Sequence, residues 1–278
     1  MLAPLERSGG IDHALAAVPT VTVGGLPIAV IDRDQSARMM VDLALARRRS
    51  TLPPAVITSA NGQVVSMCAR DPAMRALFLD ADLVHADGMP LVFASRLRGR
   101  TPLPERVATT DLFHDVARMA EAVGATFYLL GGTRDVIKAA VANVRAMYPR
   151  LAIAGCRHGY SRRDGDEAQV IADINTARPD ILWIGMGAPL ELAFALRNRQ
   201  HLTDVGLIKT SGGLFDFVSG RNGRAPAWMQ SVGLEWLHRL ALEPRRLLLR
   251  YLTTNPHALY VLLTSSSRAL PETRSSNA

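Results

Sequence analysis

An α/β protein with a mostly parallel sheet flanked by helices is the fold that this sequence predicts, and three observations carry it. Short apolar runs of strand character recur seven times along the chain. Helical patterns of about ten to fifteen residues separate them, as in βαβ units. Several of the runs end in glycine or an acid just before a helix, and α/β sheets bind their ligands outside the carboxyl ends of their strands.

In chain order, residues 1–22 carry small residues without a period and read as a loose N-terminal arm. Strand-like runs follow at Pro27–Ile31, Ala55–Thr58, Leu83–His85, Thr126–Leu130, Leu151–Ala154, Ile181–Ile184 and Gly206–Lys209. The helical patterns are Asp34–Arg48, Asn61–Ala69, Asp71–Leu79, Pro90–Leu97, Asp111–Val123, Arg134–Met147, Asp166–Ala177 and Leu190–Arg199. Together they make a core over residues 23–220. Past Gly220 the pattern changes. Glu235–Leu242 and Pro244–Leu252 read as amphipathic helices with arginine beside an apolar face, and His257–Leu263 as a weaker third. Residues 221–264 therefore form a helical basic appendage, and the polar stretch 265–278 reads as disordered.

Composition narrows the function classes. The chain has 278 residues, 48% of them hydrophobic, enough for a packed core. No run approaches the roughly 18 apolar residues of a membrane span. The N-terminus lacks the basic-then-apolar order of a signal peptide. Cys68 and Cys156 have no metal-ligand spacing and read as buried free thiols in a reducing compartment. The net charge of +7 is concentrated at the end: from Arg221 onward eight arginines face three acids. Such a tail suits nucleic acid or the anionic leaflet of a membrane. Its arginines are interleaved with Leu, Trp and Tyr at helical spacing, and no nucleic-acid module motif is present, so a membrane surface is favoured.

Candidate sites lie at the strand ends. Leu130-Gly131-Gly132-Thr133 and Ile184-Gly185-Met186-Gly187 each lead from a strand into a helix. Bare N–H groups at a helix N-terminus attract phosphate. Either could be a plain βα turn, but two in one sheet favour a nucleotide-diphosphate site. Neither is GxGxxG, and no acid ends the next strand, which weakens a dinucleotide reading. In Ala86-Asp87-Gly88 the carboxylate suits a base that takes a proton from an attacking hydroxyl, or equally a helix cap. Ser59 and Asn61, in Thr58-Ser59-Ala60-Asn61, suit sugar or phosphate oxygens, or again a cap. Arg106, in a loop, has the fork that clamps a diphosphate, or is merely a solvated loop arginine. His158-Gly159-Tyr160 reads as a structural turn. No DxD pair, GxSxG nucleophile or metal-spaced cluster appears. The densest block is Ser211-Gly212-Gly213-Leu214-Phe215-Asp216 with Arg224-Ala225-Pro226, then Glu235-Trp236 and Glu243-Pro244. Glycines, an acid, tryptophans and arginines there suit an anion held beside a surface.

These pieces, in this order, resemble the WecG/TagA/CpsF family of bacterial glycosyltransferases over roughly residues 24–252. Ala86-Asp87-Gly88, Glu105-Arg106-Val107, Thr110-Asp111-Leu112, Leu130-Gly131-Gly132 and Tyr148-Pro149 carry the resemblance, together with the C-terminal block. The resemblance implies a Rossmann-like core and an inverting, metal-independent transfer, with no cofactor. The donor would be a UDP-sugar (N-acetylmannosamine-type or glucose) and the acceptor a sugar on undecaprenyl diphosphate, for a cell-surface or extracellular polysaccharide. It also implies a cytoplasmic enzyme, peripheral on the inner face of the membrane, with possible self-association into a homo-oligomer. Asp87 would be the base and Arg106 its partner in catalysis. Ser59, Asn61, Gly131, Gly132, Gly185, Gly187 and Asp216 would line the substrate site, and Arg224, Arg239, Arg245 and Arg246 would reach the diphosphate and the membrane. The family's Pro-Lys-Gln-Glu is here Pro189-Leu190-Glu191-Leu192, which puts Glu191 where relatives carry a donor-binding glutamine. Two rivals remain from the residues alone: a silent membrane-docked assembly subunit, and a nucleotide-cofactor oxidoreductase.

Overall fold

The structure, a computed structural model, describes residues 15–48, 50, 52–98, 101–160 and 166–265. The ends of the expected arm and tail lie outside these residues. An antiparallel hairpin opens the described chain, β1 (Thr20–Val23) and β2 (Leu26–Ala29). Strands β3 (Ala55–Ala60), β4 (Leu83–Ala86), β5 (Thr126–Gly131), β6 (Ala152–Arg157), β7 (Ile181–Gly185) and β8 (Leu207–Thr210) form one sheet. Its order is β4-β3-β8-β7-β5-β6, and every neighbouring pair is parallel. This is the expected α/β, Rossmann-like arrangement.

The core helices are α1 (Arg33–Arg47), α2 (Gly62–Arg70), α3 (Pro72–Leu79), α4 (Met89–Arg98), α5 (Thr109–Val123), α6 (Arg134–Met147), α7 (Glu167–Ala177), α8 (Leu190–Asn198) and the short α9 (Leu214–Val218). The sheet divides two apolar cores, because side chains alternate across a strand. Val56, Val84, Leu182 and Ile208 face one core, shared with the hairpin and α2–α4; Ile57, Leu83, Trp183 and Leu207 face the other, shared with α1, α5 and α6. In the second core Trp183 meets Phe113 edge-on at 4.9 Å between ring centres.

Three features depart from the sequence expectations. Thr20–Val23 is a strand that begins inside the stretch read as a loose arm, since Val21 and Val23 are buried in the first core. Cys68 is buried but Cys156 is exposed, because β6 is an edge strand with little cover. The appendage helices are α10 (Ala227–Ser231), α11 (Glu235–Leu242) and a single α12 (Pro244–Thr264). The second and third expected helices are thus one helix that runs through Pro256. Proline removes one hydrogen bond from a helix interior. Here residues on both sides of it are held by tertiary contacts: Leu247 and Tyr251 before it, Ala258, Val261 and Leu262 after it, are buried. α12 lies along α2, with the Ser66 hydroxyl 2.9 Å from His257 Nδ1 and Arg70 donating to the Thr253 carbonyl at 3.1 Å.

Candidate active site

The carboxyl ends of β3, β4 and β8 and the loop after β7 open into one cavity of about 480 Å³, closed on its far side by α11 and α12. Its position follows from the strand order: these ends are adjacent, and the appendage folds back across them.

Asp87 stands on the floor just past β4, where its backbone N–H donates to the Ala60 carbonyl at 2.8 Å. Its Oδ2 accepts from the Thr109 hydroxyl at 2.9 Å. Thr109 is placed there by the loop before α5, which Val107 N–H pins to the Ala86 carbonyl at 2.8 Å. The same pin sets Arg106 beside the cavity. Burial raises the Asp87 carboxyl above its ordinary pKa, opposed first by the Thr109 hydroxyl and then by the Arg106 and Lys209 charges. A carboxylate whose pKa is raised holds an incoming proton more firmly, which suits a base.

Beneath Asp87, on the sheet face of the second core, lies a row of polar side chains that register places together. Ser59 on β3 pairs with His85 on β4, and Lys209 on β8 pairs with Ile57 two residues before Ser59. Lys209 is fully buried; its Nζ donates to Ser59 Oγ at 2.8 Å and to the Thr210 carbonyl at 2.9 Å. Burial lowers its pKa to about 8, against the pull of Asp87 and Glu191. His85 meets Ser36 of α1 at 2.7 Å, and burial, then Lys209, push its pKa well below the ordinary value.

Glu191 is buried at the start of α8 and also faces the cavity. Its carboxylate accepts from the N–H groups of Met186 at 3.1 Å, Gly187 at 3.0 Å and Gly212 at 2.9 Å. It ties the loop after β7 to the loop after β8. Burial pushes its pKa up to about 7 against those three donors and Lys209. Gly187 and Gly212 have positive φ, 81° and 57°, which a side chain would strain. Read from sequence as a group facing donor, Glu191 is by its bonds the clasp that shapes this wall.

The roof is a network of ions. Arg106 pairs with Glu235 of α11 at 2.6 Å and donates to Gln230 at 3.1 Å. Arg224 makes a two-pronged pair with Asp111, 2.8 and 3.2 Å, and donates to Gln230 at 2.7 Å. Arg239 reaches the cavity over the Phe217 ring, 5.1 Å from its centre.

The structure thus gathers Ser59, Asn61, Asp87, Arg106, Gly187, Glu191, Arg224 and Arg239 around one space. Asn61 serves twice, since its Oδ1 also caps α2 at Val64 N–H. Other expected site residues fall elsewhere. Gly131, Gly132 and Gly185 do not line this cavity, and packing explains why glycine stands at two of them. A Cβ on Gly131 would fall on the Gly185 carbonyl, and one on Gly185 would lie 2.7 Å from the Phe215 ring. These glycines let neighbouring strand ends touch, and Gly159 N–H closes the turn on the Gly132 carbonyl at 3.0 Å. Asp216 is also off the cavity wall and faces Arg221 at 3.9 Å. Arg245 is exposed in the first turn of α12, away from the cavity, and the Arg246 side chain lies outside the described residues. Sequence reasoning missed Lys209, Thr109 and Arg250, all of which border or underlie the site. Only Lys209 left a signal: a lysine in the apolar run Gly206–Thr210. Among the described residues no three His, Cys, Asp or Glu side chains converge as a metal site.

Comparison with known proteins agrees with this geometry. The model of the glycosyl transferase WecG/TagA/CpsF family matches residues 21–271. The chain is 33% identical over 208 residues to the N-acetylglucosaminyldiphosphoundecaprenol N-acetyl-beta-D-mannosaminyltransferase of Bacillus subtilis (strain 168), covering 75% of this chain and 79% of that protein. It is 30% identical over 192 residues to the protein of the same description from Bacillus spizizenii, covering 69% and 73%. With a base candidate on the floor of its cavity and arginines across from it, the chain belongs to the WecG/TagA/CpsF family of glycosyl transferases.

Proposed function

We propose that the cavity transfers a hexosyl group, N-acetylmannosamine-type or glucose, from a UDP-sugar to a sugar carried on a polyprenyl diphosphate, with inversion and without a resident metal. The observation that carries this reading is the opposition of Asp87 to Arg106, Arg224 and Arg239 around one cavity. The acceptor hydroxyl gives its proton to Asp87 as its oxygen bonds to the anomeric carbon. The bond from that carbon to the UDP oxygen breaks on the opposite face, and its electron pair leaves with the diphosphate. Guanidinium groups meet the charge that gathers there. The names of the two Bacillus relatives support the acceptor and favour N-acetylmannosamine among the donors.

The appendage supports docking at an anionic membrane face. Among the described residues no helix is long and apolar enough to cross a membrane. α12 instead leaves Leu249 73%, Leu252 64% and Tyr260 64% exposed along one side, with Arg245 nearby, while its other side covers α2. Leucine beside arginine on one exposed helix face is the pattern of a helix lying in the headgroup region.

The test is UDP release by purified protein with a panel of UDP-sugars and polyprenyl-diphosphate N-acetylglucosamine, with and without EDTA, and NMR of the product anomer. Release with one donor, insensitive to EDTA and giving the inverted anomer, is expected. A retained anomer, or EDTA-sensitive release, would overturn the mechanism. Reduction of NAD(P) instead would restore the oxidoreductase rival.

A further inference from the structure

A chain of four polar groups runs under the cavity floor. Lys209 Nζ lies 2.8 Å from Ser59 Oγ, Ser59 Oγ 3.1 Å from Thr109 Oγ1, and Thr109 Oγ1 2.9 Å from Asp87 Oδ2. Its two ends decide its direction. An ammonium only donates and a carboxylate only accepts. Each hydroxyl has one proton, so Ser59 donates to Thr109 and Thr109 to Asp87. Four groups from β8, β3, α5 and the end of β4 thus share one polarity.

The lysine has no packing reason to be there. It is fully buried, in a strand whose other residues, Leu207, Ile208 and Thr210, are buried too. A buried charge is expensive unless paired and bonded. The charged and titratable groups that face Lys209 and Asp87 are His85 on β4, Glu191 on α8, Arg106 ahead of α5 and Glu235 on α11. Among the described residues, a hydrogen-bonded path runs from the lysine through Ser59 and Thr109 to Asp87 on the reaction side.

We propose that Lys209 is the positioning residue for the base: donating through Ser59 and Thr109, it sets the direction of the hydrogen bonds that end on Asp87 Oδ2 and leaves Oδ1 for the acceptor hydroxyl. This rests on Asp87 being the base of the transfer proposed above. No proton passes along the chain. Asp87 takes the acceptor's proton, and the relay holds the carboxylate still while it does so.

The experiment compares the wild type with Lys209→Met, Thr109→Val, Ser59→Ala and Ser59→Thr. Three quantities are read: kcat for UDP release from about pH 5 to 9, the Kd for UDP, and the titration of the Asp87 carboxyl carbon by NMR, assigned by its loss in Asp87→Asn. Lys209→Met, Thr109→Val and Ser59→Ala are expected to lower kcat by up to about 100-fold while UDP affinity stays within about twofold. In Lys209→Met and Thr109→Val both the acid limb of kcat and the Asp87 titration move to higher pH, since the lysine charge and the threonine hydroxyl each favour the ionised carboxyl. Ser59→Thr, which keeps a hydroxyl, recovers most of what Ser59→Ala loses. Should Lys209→Met fail to fold, Thr109→Val and Ser59→Ala decide, because they leave the lysine in place. An Asp87 titration and a kcat that neither variant moves overturn the relay. A titration that moves in a protein that transfers no sugar keeps the relay and removes the transferase reading instead.

Discussion

The floor and the roof of the cavity use the same residue types under different dielectric conditions, and the contrast shows which charges govern chemistry. On the floor and the adjoining wall, Lys209 and Glu191 are buried, the one donating to Ser59 and the Thr210 carbonyl and the other accepting from three backbone N–H groups. On the roof, Arg106, Arg224, Asp111 and Glu235 keep 12–31% of their side chains exposed and pair across the seam between core and appendage. A buried charge in low dielectric acts strongly on its neighbours, whereas a partly exposed pair is more screened and exchanges partners at less cost. On the proposed reading, the floor sets protonation and geometry, and the roof opens its ion pairs to admit a diphosphate.

The largest effect that separates them is expected at Asp87. Asp87→Asn keeps the size of the side chain but cannot take a proton, so kcat should fall by about 10²–10⁴-fold with UDP affinity retained. A variant that keeps its kcat would erase the distinction between floor and roof. The outer face of the appendage is sharpened by Leu249→Glu with Leu252→Glu. Burying one leucine is worth roughly 1.5–3 kcal/mol, so binding to vesicles containing anionic lipid should weaken by about tenfold or more. Release of UDP with a short-chain, water-soluble acceptor should be untouched. Equal loss with both acceptors would mean that the face supports the fold rather than the membrane.

A third effect concerns stability against pH. The Glu191 pKa in the folded chain, about 7, lies above its ordinary value of 4.5. Its contribution is therefore complete below about pH 4.5 and is lost as pH rises through about 7, a change on the order of 1–3 kcal/mol. Glu191→Gln should flatten the fall of Tm across that window. A Tm curve that keeps its slope would assign the slope to other groups. The smallest effect is expected on the roof. Glu235→Gln loosens the pair with Arg106 at 2.6 Å, should change stability by about 1 kcal/mol or less, and should make UDP binding less sensitive to salt. A loss as large as that of Asp87→Asn would place Glu235 among the reacting groups.

What sequence made legible divides along the same line. The buried parallel strands were readable because both faces are covered, so residues 55–57 and Ile181–Gly185 are continuous apolar runs. Asp87, Arg106 and Arg224 stood out as an acid at a strand end and arginines in loops, but their roles came from the family resemblance, since a helix cap or a solvated side chain fits the residues alone. β1 was not, since Thr20–Val23 is four residues long and gains its order from pairing with β2. Helices α9 and α10, five residues each, carry too little period to see. Gly131, Gly132 and Gly187 look alike in sequence. Only the strand order distinguishes the first two, filled by Gly185, Val136 and Phe215, from the third, open on the cavity. Lys209 was hidden for a related reason: a charge at a strand end reads as solvated until the neighbouring strands close over it.

The continuity of α12 through Pro256 ties two distant events together. One face of that helix, through Ala258 and Leu262, borders the substrate space and rests on α2, whose cap is Asn61. The opposite face carries the exposed leucines. On the proposed docking, about 30 Å of continuous helix would link the lipid side to that border. Docked as proposed, the helix would act as a feeler gauge, and the gap between core and bilayer would also set the width of the proposed sugar site.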